Sequence, residues 1–220
     1  MGIHVEVPLS DGNSFRGYEA APEDAEAGAV LIVHEWFGLN ESMRDQADRF
    51  AAAGYRALAV DLYAGKVALD AETARRYSAE LKPRHALDVI SAAAEHVRGA
   101  NGKVCLAGFC LGGAVALAAA SCMDGISATA AFCGMPPQRY REVARFRTPV
   151  MGHYGLRDPL LPVEQPRELF DALAAAGKRA WFYAYDAGHA FMRNGSQSYR
   201  ASVATIAWER TLGFFAEATV

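Results

Sequence analysis

The stretch that decides the fold is Gly108-Phe109-Cys110-Leu111-Gly112-Gly113, in which glycines stand two residues before and two residues after a cysteine. The apolar run at 103–109 predicts a central strand, and the small apolar residues at 111–122 predict a helix that is almost wholly buried. A nucleophile between a strand and a helix, with glycines at these positions, is the G-x-S-x-G elbow with sulfur in place of oxygen. The sequence therefore predicts a sharp turn that exposes Cys110 at a helix N-terminus.

Apolar, β-branched runs alternate with Ala-rich segments of helical period on both sides of this turn. This alternation predicts an α/β fold with a mostly parallel central sheet and helices on both faces. Strands are predicted at 29–34, 55–60, 103–109, 126–132, 149–154 and 179–185, and helices at 41–53, 72–81, 84–98, 111–122, 164–176 and 198–215. The N-terminal runs at 4–7 and 14–18 predict an antiparallel hairpin at one sheet edge, and Asn101-Gly102 predicts a turn.

The composition of the 220-residue chain excludes several classes of protein. Hydrophobic residues make up 52% and charged residues 21%, which predicts a packed chain, and without a linker or repeat we expect a single domain over 1–220. The net charge of -3, with scattered basic residues, argues against a nucleic-acid partner. No apolar run is long enough to predict a membrane span, and no secretion signal is evident, so we expect a cytoplasmic protein.

The four cysteines are expected to be free thiols, because the chain shows no sign of secretion. No pair has C-x-x-C spacing and the six histidines are dispersed, so we expect no metal site. We expect three of them to be small buried hydrophobic residues, as cysteine usually is: Cys105, Cys122 and Cys133. The same explanation is the alternative for Cys110, and the elbow favours a nucleophile instead.

A cysteine nucleophile needs a base, and His189, on a glycine-containing loop after the last strand, is predicted to supply it. Asp158, after the strand at 149–154, completes the order nucleophile, acid, histidine that is typical of α/β-hydrolases. Taken alone, Asp158 fits a turn residue and His189 a surface histidine, and Asp186 is the alternative acid. His34 and His153 fall outside this order and are assigned to packing.

Two backbone N–H groups are predicted to stabilise the oxyanion that forms when Cys110 attacks a carbonyl. One belongs to Leu111, at the start of the helix that follows the elbow. The other belongs to Trp36, in the loop after the strand at 29–34.

Several stretches resemble the dienelactone hydrolase family, also called carboxymethylenebutenolidases: His34-Glu-Trp-Phe-Gly-Leu-Asn, Asp61-Leu-Tyr, Gly108-Phe-Cys-Leu-Gly-Gly and Ala187-Gly-His-Ala-Phe. The last helix is similar as well. The resemblance implies hydrolysis of the enol-lactone ring of a dienelactone to maleylacetate, through an acyl-enzyme on Cys110. It also implies an enzyme without cofactors that acts on a small, anionic ester or lactone as a monomer or weak homodimer.

The resemblance assigns roles to three further residues. Glu35 is expected to interact with the resting thiol and to help it ionise. Arg193 is expected to bind a substrate carboxylate, for which a guanidinium is well suited. Tyr77 matches a tyrosine of the family's substrate site.

The chain departs from the family pattern at the substrate site. Thr73 stands where the family has a second arginine, and Arg75 or Arg76 is the candidate to replace it. Ala190 and Glu80 stand where a serine and an aromatic residue are found in the family. Two alternatives to dienelactone hydrolysis therefore stay open: a cysteine-type carboxylesterase or thioesterase with another acyl substrate, and a noncatalytic ligand-binding or redox-sensing protein.

Overall fold

The computed structural model of the protein describes residues 1–23, 27–99 and 102–219. Its strands are β1 (Ile3–Pro8), β2 (Ser14–Ala20), β3 (Ala29–Val33), β4 (Arg56–Val60), β5 (Val104–Phe109), β6 (Ala128–Phe132), β7 (Val150–Gly155) and β8 (Ala180–Tyr185). Its α-helices are α1 (Glu41–Ala52), α2 (Ala71–Glu80), α3 (Pro83–Val97), α4 (Leu111–Cys122), α5 (Glu164–Ala175) and α6 (Ala201–Thr219). Short 3₁₀ helices cover Gln138–Tyr140 and Val143–Arg145.

All eight strands form one sheet in the order β1-β2-β4-β3-β5-β6-β7-β8. The predicted hairpin is present at one edge, where β1 pairs with β2 and β2 pairs with β4 in antiparallel register. Every other neighbouring pair is parallel. The predicted α/β fold with a mostly parallel sheet is confirmed.

Element boundaries differ from the predicted ones mainly at the last helix, predicted over 198–215 and found at Ala201–Thr219. The segment before it is held in successive turns, in which Ser196 donates its backbone N–H to Arg193 and Tyr199 donates to Ser196. These turns delay the start of the helix. The predicted Asn101-Gly102 turn lies partly outside the described residues, which omit Asn101.

Residues of β3, β5, β6 and β7 are buried along their whole length, as expected of strands covered by helices on both faces. The prediction that α4 is almost wholly buried is wrong on one face. Leu111, Ala114 and Val115 are partly exposed, because the elements on either side of this face leave a groove over it. Within the described residues, none of the helices has the length and apolar character needed to cross a bilayer.

The parallel strands determine where the predicted site residues meet. The carboxyl ends of β3, β5, β7 and β8 all lie at the same edge of the sheet. Glu35, Cys110, Asp158 and His189 follow these four strands in that order. Residues far apart in the chain are thereby brought to one place.

Candidate active site

Cys110 occupies the predicted elbow between β5 and α4. Its backbone has φ 54° and ψ -112°, a left-handed conformation that is strained for any residue with a side chain. A Cβ atom at Gly108 would collide with the carbonyl of Gly112, and a Cβ atom at Gly112 would collide with the carbonyl of Val33. Both flanking glycines are therefore required by close backbone packing, and the turn leaves Cys110 partly exposed.

The structure brings Cys110, His189 and Asp158 into one hydrogen-bonded chain. His189 Nε2 lies 3.0 Å from the Cys110 sulfur, and His189 Nδ1 lies 2.6 Å from Asp158 Oδ2. The other carboxylate oxygen of Asp158 accepts the backbone N–H groups of Leu160 at 2.8 Å and Leu161 at 3.1 Å. Because these bonds and its burial fix the carboxylate, Asp158 holds the imidazole in one orientation towards the sulfur.

The hydrogen bonds of His189 determine its protonation. Burial by itself lowers the pKa of His189, but the hydrogen bonds with Asp158 and Cys110 outweigh burial and raise the pKa to about 10. The raised pKa keeps the ring protonated at neutral pH, with Nε2 3.0 Å from the Cys110 sulfur. The imidazole is therefore placed to exchange a proton with the nucleophile and its leaving group.

Asp186, the alternative acid, is excluded by its position. Its carboxylate pairs with Arg157 at 2.8 Å and its side chain is 76% exposed. The acid that contacts His189 is Asp158.

His34 and His153 are buried structural residues, as predicted. Nε2 of His34 accepts the backbone N–H of Leu62 at 3.1 Å, so the ring proton is on Nδ1, which donates to the carbonyl oxygen of the next residue at 2.6 Å. His153 lies between the hydroxyl groups of Tyr185 at 2.9 Å and Thr211 at 3.1 Å. Burial lowers the pKa of both histidines, that of His153 to about 3, so both rings are neutral.

The loop after β3 is held in a way that orients the Trp36 N–H. The carbonyl oxygen of Glu35 accepts from His34 at 2.6 Å and from the Gly38 N–H at 3.1 Å. In a trans peptide the carbonyl and the following N–H point in opposite directions, so fixing the first also fixes the Trp36 N–H. The Leu111 N–H belongs to the first residue of α4, where no helical residue can accept it. His34 thus has an orienting role that the sequence analysis missed.

The expectation that Glu35 contacts the resting thiol is not met. The Glu35 carboxylate is 2.8 Å from a guanidinium nitrogen of Arg193, and the Cys110 sulfur contacts His189 instead. Burial raises the pKa of Glu35, while the charges of Arg193 and His189 oppose that rise. A buried carboxylate needs a counter-ion, so Arg193 is engaged within the protein, with its guanidinium 5.0 Å from the centre of the Phe37 ring.

The region around Tyr77 differs from the family pattern at Thr73, which contacts the N-cap of a helix. Thr73 donates its N–H at 2.8 Å and its hydroxyl at 3.1 Å to the carboxylate of Asp70, the N-cap of α2. Arg75 and Arg76 are exposed, and the Arg76 guanidinium lies 5.5 Å from the centre of the Tyr77 ring. Thr73 therefore caps a helix, and neither arginine is buried in the site.

Tyr63 is a residue of the site that the sequence analysis did not single out, although it belongs to the quoted Asp61-Leu-Tyr stretch. Its ring packs edge-on against His34 and Tyr77, and within the described residues its buried hydroxyl has no hydrogen-bond partner. Burial raises the pKa of Tyr63, and the charges of Cys110 and Asp61 add to that rise. A buried phenol without a hydrogen-bond partner is costly, and this one lies close to the nucleophile.

Cys133 lies behind Asp158 and His189, and one ligand atom from each of the three falls within 4.8 Å of the others. Such a group could in principle bind a metal ion through a thiolate. Burial raises the pKa of Cys133 well above its usual range, so its thiol stays protonated. Asp158 and His189 are already bonded to each other, and the absence of a metal site stays a prediction.

Comparison with known proteins agrees with this geometry. Residues 15–219 match the model of the dienelactone hydrolase family. A carboxymethylenebutenolidase of Pseudomonas putida is 30% identical over 96% of this chain and 95% of its own length, and carboxymethylenebutenolidase 1 of Cupriavidus pinatubonensis is 28% identical over 96% and 95%.

A solved structure shows the same fold. It is a Klebsiella pneumoniae protein whose name assigns it provisionally to the dienelactone hydrolases. It is 28% identical and superposes with a TM-score of 0.87 over 99% of both chains. With the family match and the relatives, this similarity shows that the chain is a carboxylic ester hydrolase that belongs to the dienelactone hydrolase family.

Proposed function

We propose that the protein hydrolyses a carboxylic ester or lactone through an acyl-enzyme on Cys110, with His189 as base and Asp158 as the residue that orients His189. The observation that carries this proposal is the unbroken chain of contacts from Asp158 through His189, at 2.6 Å, to the Cys110 sulfur, at 3.0 Å. A partly exposed sulfur at a helix N-terminus completes the requirements for nucleophilic attack.

The reaction proceeds in two halves. The Cys110 thiolate attacks the carbonyl carbon, and the Leu111 and Trp36 N–H groups stabilise the negative oxygen that forms. The C–O bond to the leaving group then breaks, and the imidazolium of His189 gives its proton to the departing oxygen. In the second half His189 takes a proton from water, the hydroxide attacks the thioester, and the acid product leaves the restored thiolate.

Dienelactone is the first substrate that we propose, with maleylacetate as product. Relatives at about 30% identity carry the name carboxymethylenebutenolidase. A cleft of about 210 Å³ beside Tyr63 and Tyr77 also supports a small anionic substrate, because two lysines, Lys66 and Lys82, and one carboxylate, Glu80, border it. The excess positive charge of the two lysines takes the place of the family arginine that is absent at Thr73.

A second substrate class is another carboxylic ester or thioester hydrolysed by the same triad. The observation that favours it is the ion pair between Arg193 and Glu35, which engages the guanidinium expected to bind the lactone carboxylate. Because the Arg193 guanidinium is already paired with Glu35, it is less available to bind the carboxylate of an anionic substrate.

Steady-state kinetics on cis-dienelactone and p-nitrophenyl acetate tests both the mechanism and the substrate class. We expect wild-type turnover of at least one substrate and none by Cys110→Ala. A kcat/KM far higher for dienelactone selects the first substrate class, and the reverse order selects the second. Cys110→Ala with wild-type rates on either substrate contradicts the proposed mechanism.

A further inference from the structure

An apolar groove runs along α4 and begins at the residue after the candidate nucleophile. Its floor is a stripe formed by Leu111, Ala114, Val115 and Ala118, whose spacing places them on one face of the helix. A helix that is apolar on all sides is normally buried, yet three of these residues are partly exposed. An exposed apolar surface of this kind indicates a binding site.

The walls of the groove are apolar as well. Leu81, after α2, borders one side, and Met135, in the loop after β6, borders the other. Among the described residues that border the groove, Arg141 carries the only charge, and its Nε donates to the Pro136 carbonyl at 2.7 Å. The groove has a volume of about 360 Å³, within the range of small-molecule sites.

One cavity that borders Cys110 is much smaller. It lies beside Glu35, Cys110 and Cys133 and has a volume of about 10 Å³, which is no more than the room that one water molecule needs. This cavity is too small to hold an acyl group bound to Cys110. Leu111 connects the two places, because it follows Cys110 directly in the chain and borders the groove.

The position of His189 distinguishes the acyl side of the substrate from the leaving-group side. The leaving oxygen must lie beside the imidazole that protonates it, and that imidazole is on the loop after β8. The residues that border the groove come from 78–87, α4 and 135–141, and none of them comes from the loop after β8. The groove is therefore formed apart from the loop that carries the base, which leaves it available to the acyl side of the substrate.

We propose that this groove binds the acyl chain of the substrate, so that the enzyme prefers esters of unbranched, apolar acids of medium length. The proposal rests on the acyl-enzyme mechanism above and selects the second of its two substrate classes. An apolar chain matches a groove that is lined mainly by methyl and methylene groups and whose one charged residue among those described, Arg141, donates to a backbone carbonyl.

The test is the kcat/KM of p-nitrophenyl acetate, butyrate and hexanoate with the wild-type enzyme and two variants. We expect kcat/KM of the wild type to rise about threefold per added methylene. Ala114→Leu, which fills the floor of the groove, is expected to lower kcat/KM for hexanoate about tenfold or more and to leave acetate close to wild type. Ala172→Leu, on an exposed position of α5, is the matched control and is expected to change neither.

A wild-type profile that does not rise with chain length, or equal losses on acetate and hexanoate in Ala114→Leu, would overturn the groove proposal. Acetate hydrolysis through Cys110 would survive that result, so the proposed mechanism would stand. If Ala114→Leu does not fold, inhibition of the wild type decides instead: free hexanoate must inhibit more strongly than acetate. Should no ester acylate Cys110, the mechanism fails and the groove proposal fails with it.

Discussion

Cys110 and Cys133 follow neighbouring parallel strands in the same register, where Phe109 pairs with Phe132. Both have a left-handed backbone, with φ of 54° and 50°, and both border the same small cavity. They differ in surroundings: Cys110 is partly exposed and contacts His189, whereas Cys133 is 5% exposed and burial raises its pKa. The comparison teaches that a strained turn does not by itself make a nucleophile. A charged partner and access for the substrate are also needed.

The largest expected effect is on kcat, for which replacement of the two cysteines should have different consequences. Cys110→Ala removes the atom that forms the acyl-enzyme, so we expect kcat to fall by about 10⁵-fold or more. Cys133→Ala removes a small buried group and should keep kcat close to wild type. Steady-state assays of both variants on the better of the two substrates provide the measurement. Loss of turnover in Cys133→Ala, with a folded protein, would break the comparison.

The next largest expected effect is on kcat when the Asp158 carboxylate, which orients His189, is replaced. Asp158→Asn should favour the wrong tautomer of His189 and lower kcat by about 10³-fold to 10⁴-fold. The matched control is Asp186→Asn, which alters an exposed carboxylate in the same region and is expected to leave kcat nearly unchanged. Similar losses in the two variants would mean that Asp158 does not orient the base.

A smaller effect compares the two thiols directly. Burial raises the pKa of Cys133 and covers its sulfur, whereas Cys110 is partly exposed beside His189, so we expect iodoacetamide at pH 7 to modify Cys110 at least about 100-fold faster than Cys133. Peptide mass spectrometry after timed quenching measures both rates in one sample. Equal rates would show that the contact with His189 gives Cys110 no advantage.

The smallest effect is on stability and follows from the raised pKa of His189. The unfolded histidine titrates near 6.5 and the folded one near 10, so folding favours the protonated ring. Its stabilising contribution is fully present below pH 6.5 and is lost as the pH rises towards 10. The difference in unfolding free energy between the wild type and His189→Gln, from urea denaturation, should therefore shrink over that range. A difference independent of pH would contradict the raised pKa of His189.

The three residues of the proposed triad could be predicted because short stretches of sequence determine their positions. The two glycines around Cys110 form a short pattern, and Asp158 and His189 are placed by the ends of single strands. Chain order then indicated how the three meet. The fold was equally predictable, because buried parallel strands are continuous apolar runs.

The rest depends on contacts between distant segments. Glu35 and Arg193 pair across 158 residues of sequence, and no local pattern shows that the carboxylate takes the guanidinium rather than the thiol. The role of His34 depends on the position of Leu62 relative to β3. The groove over α4 exists because the segments 78–87 and 135–141 lie apart on either side of it. Apolar composition alone does not predict that distance.

The most direct test of the central claim is intact-protein mass spectrometry of the enzyme quenched in acid during turnover of a slowly hydrolysed ester, followed by peptide mapping. We expect an increase equal to the acyl group, located on Cys110 and absent from Cys110→Ala. An acyl group mapped to Cys133 or to any other residue, at the rate of turnover, would contradict the account.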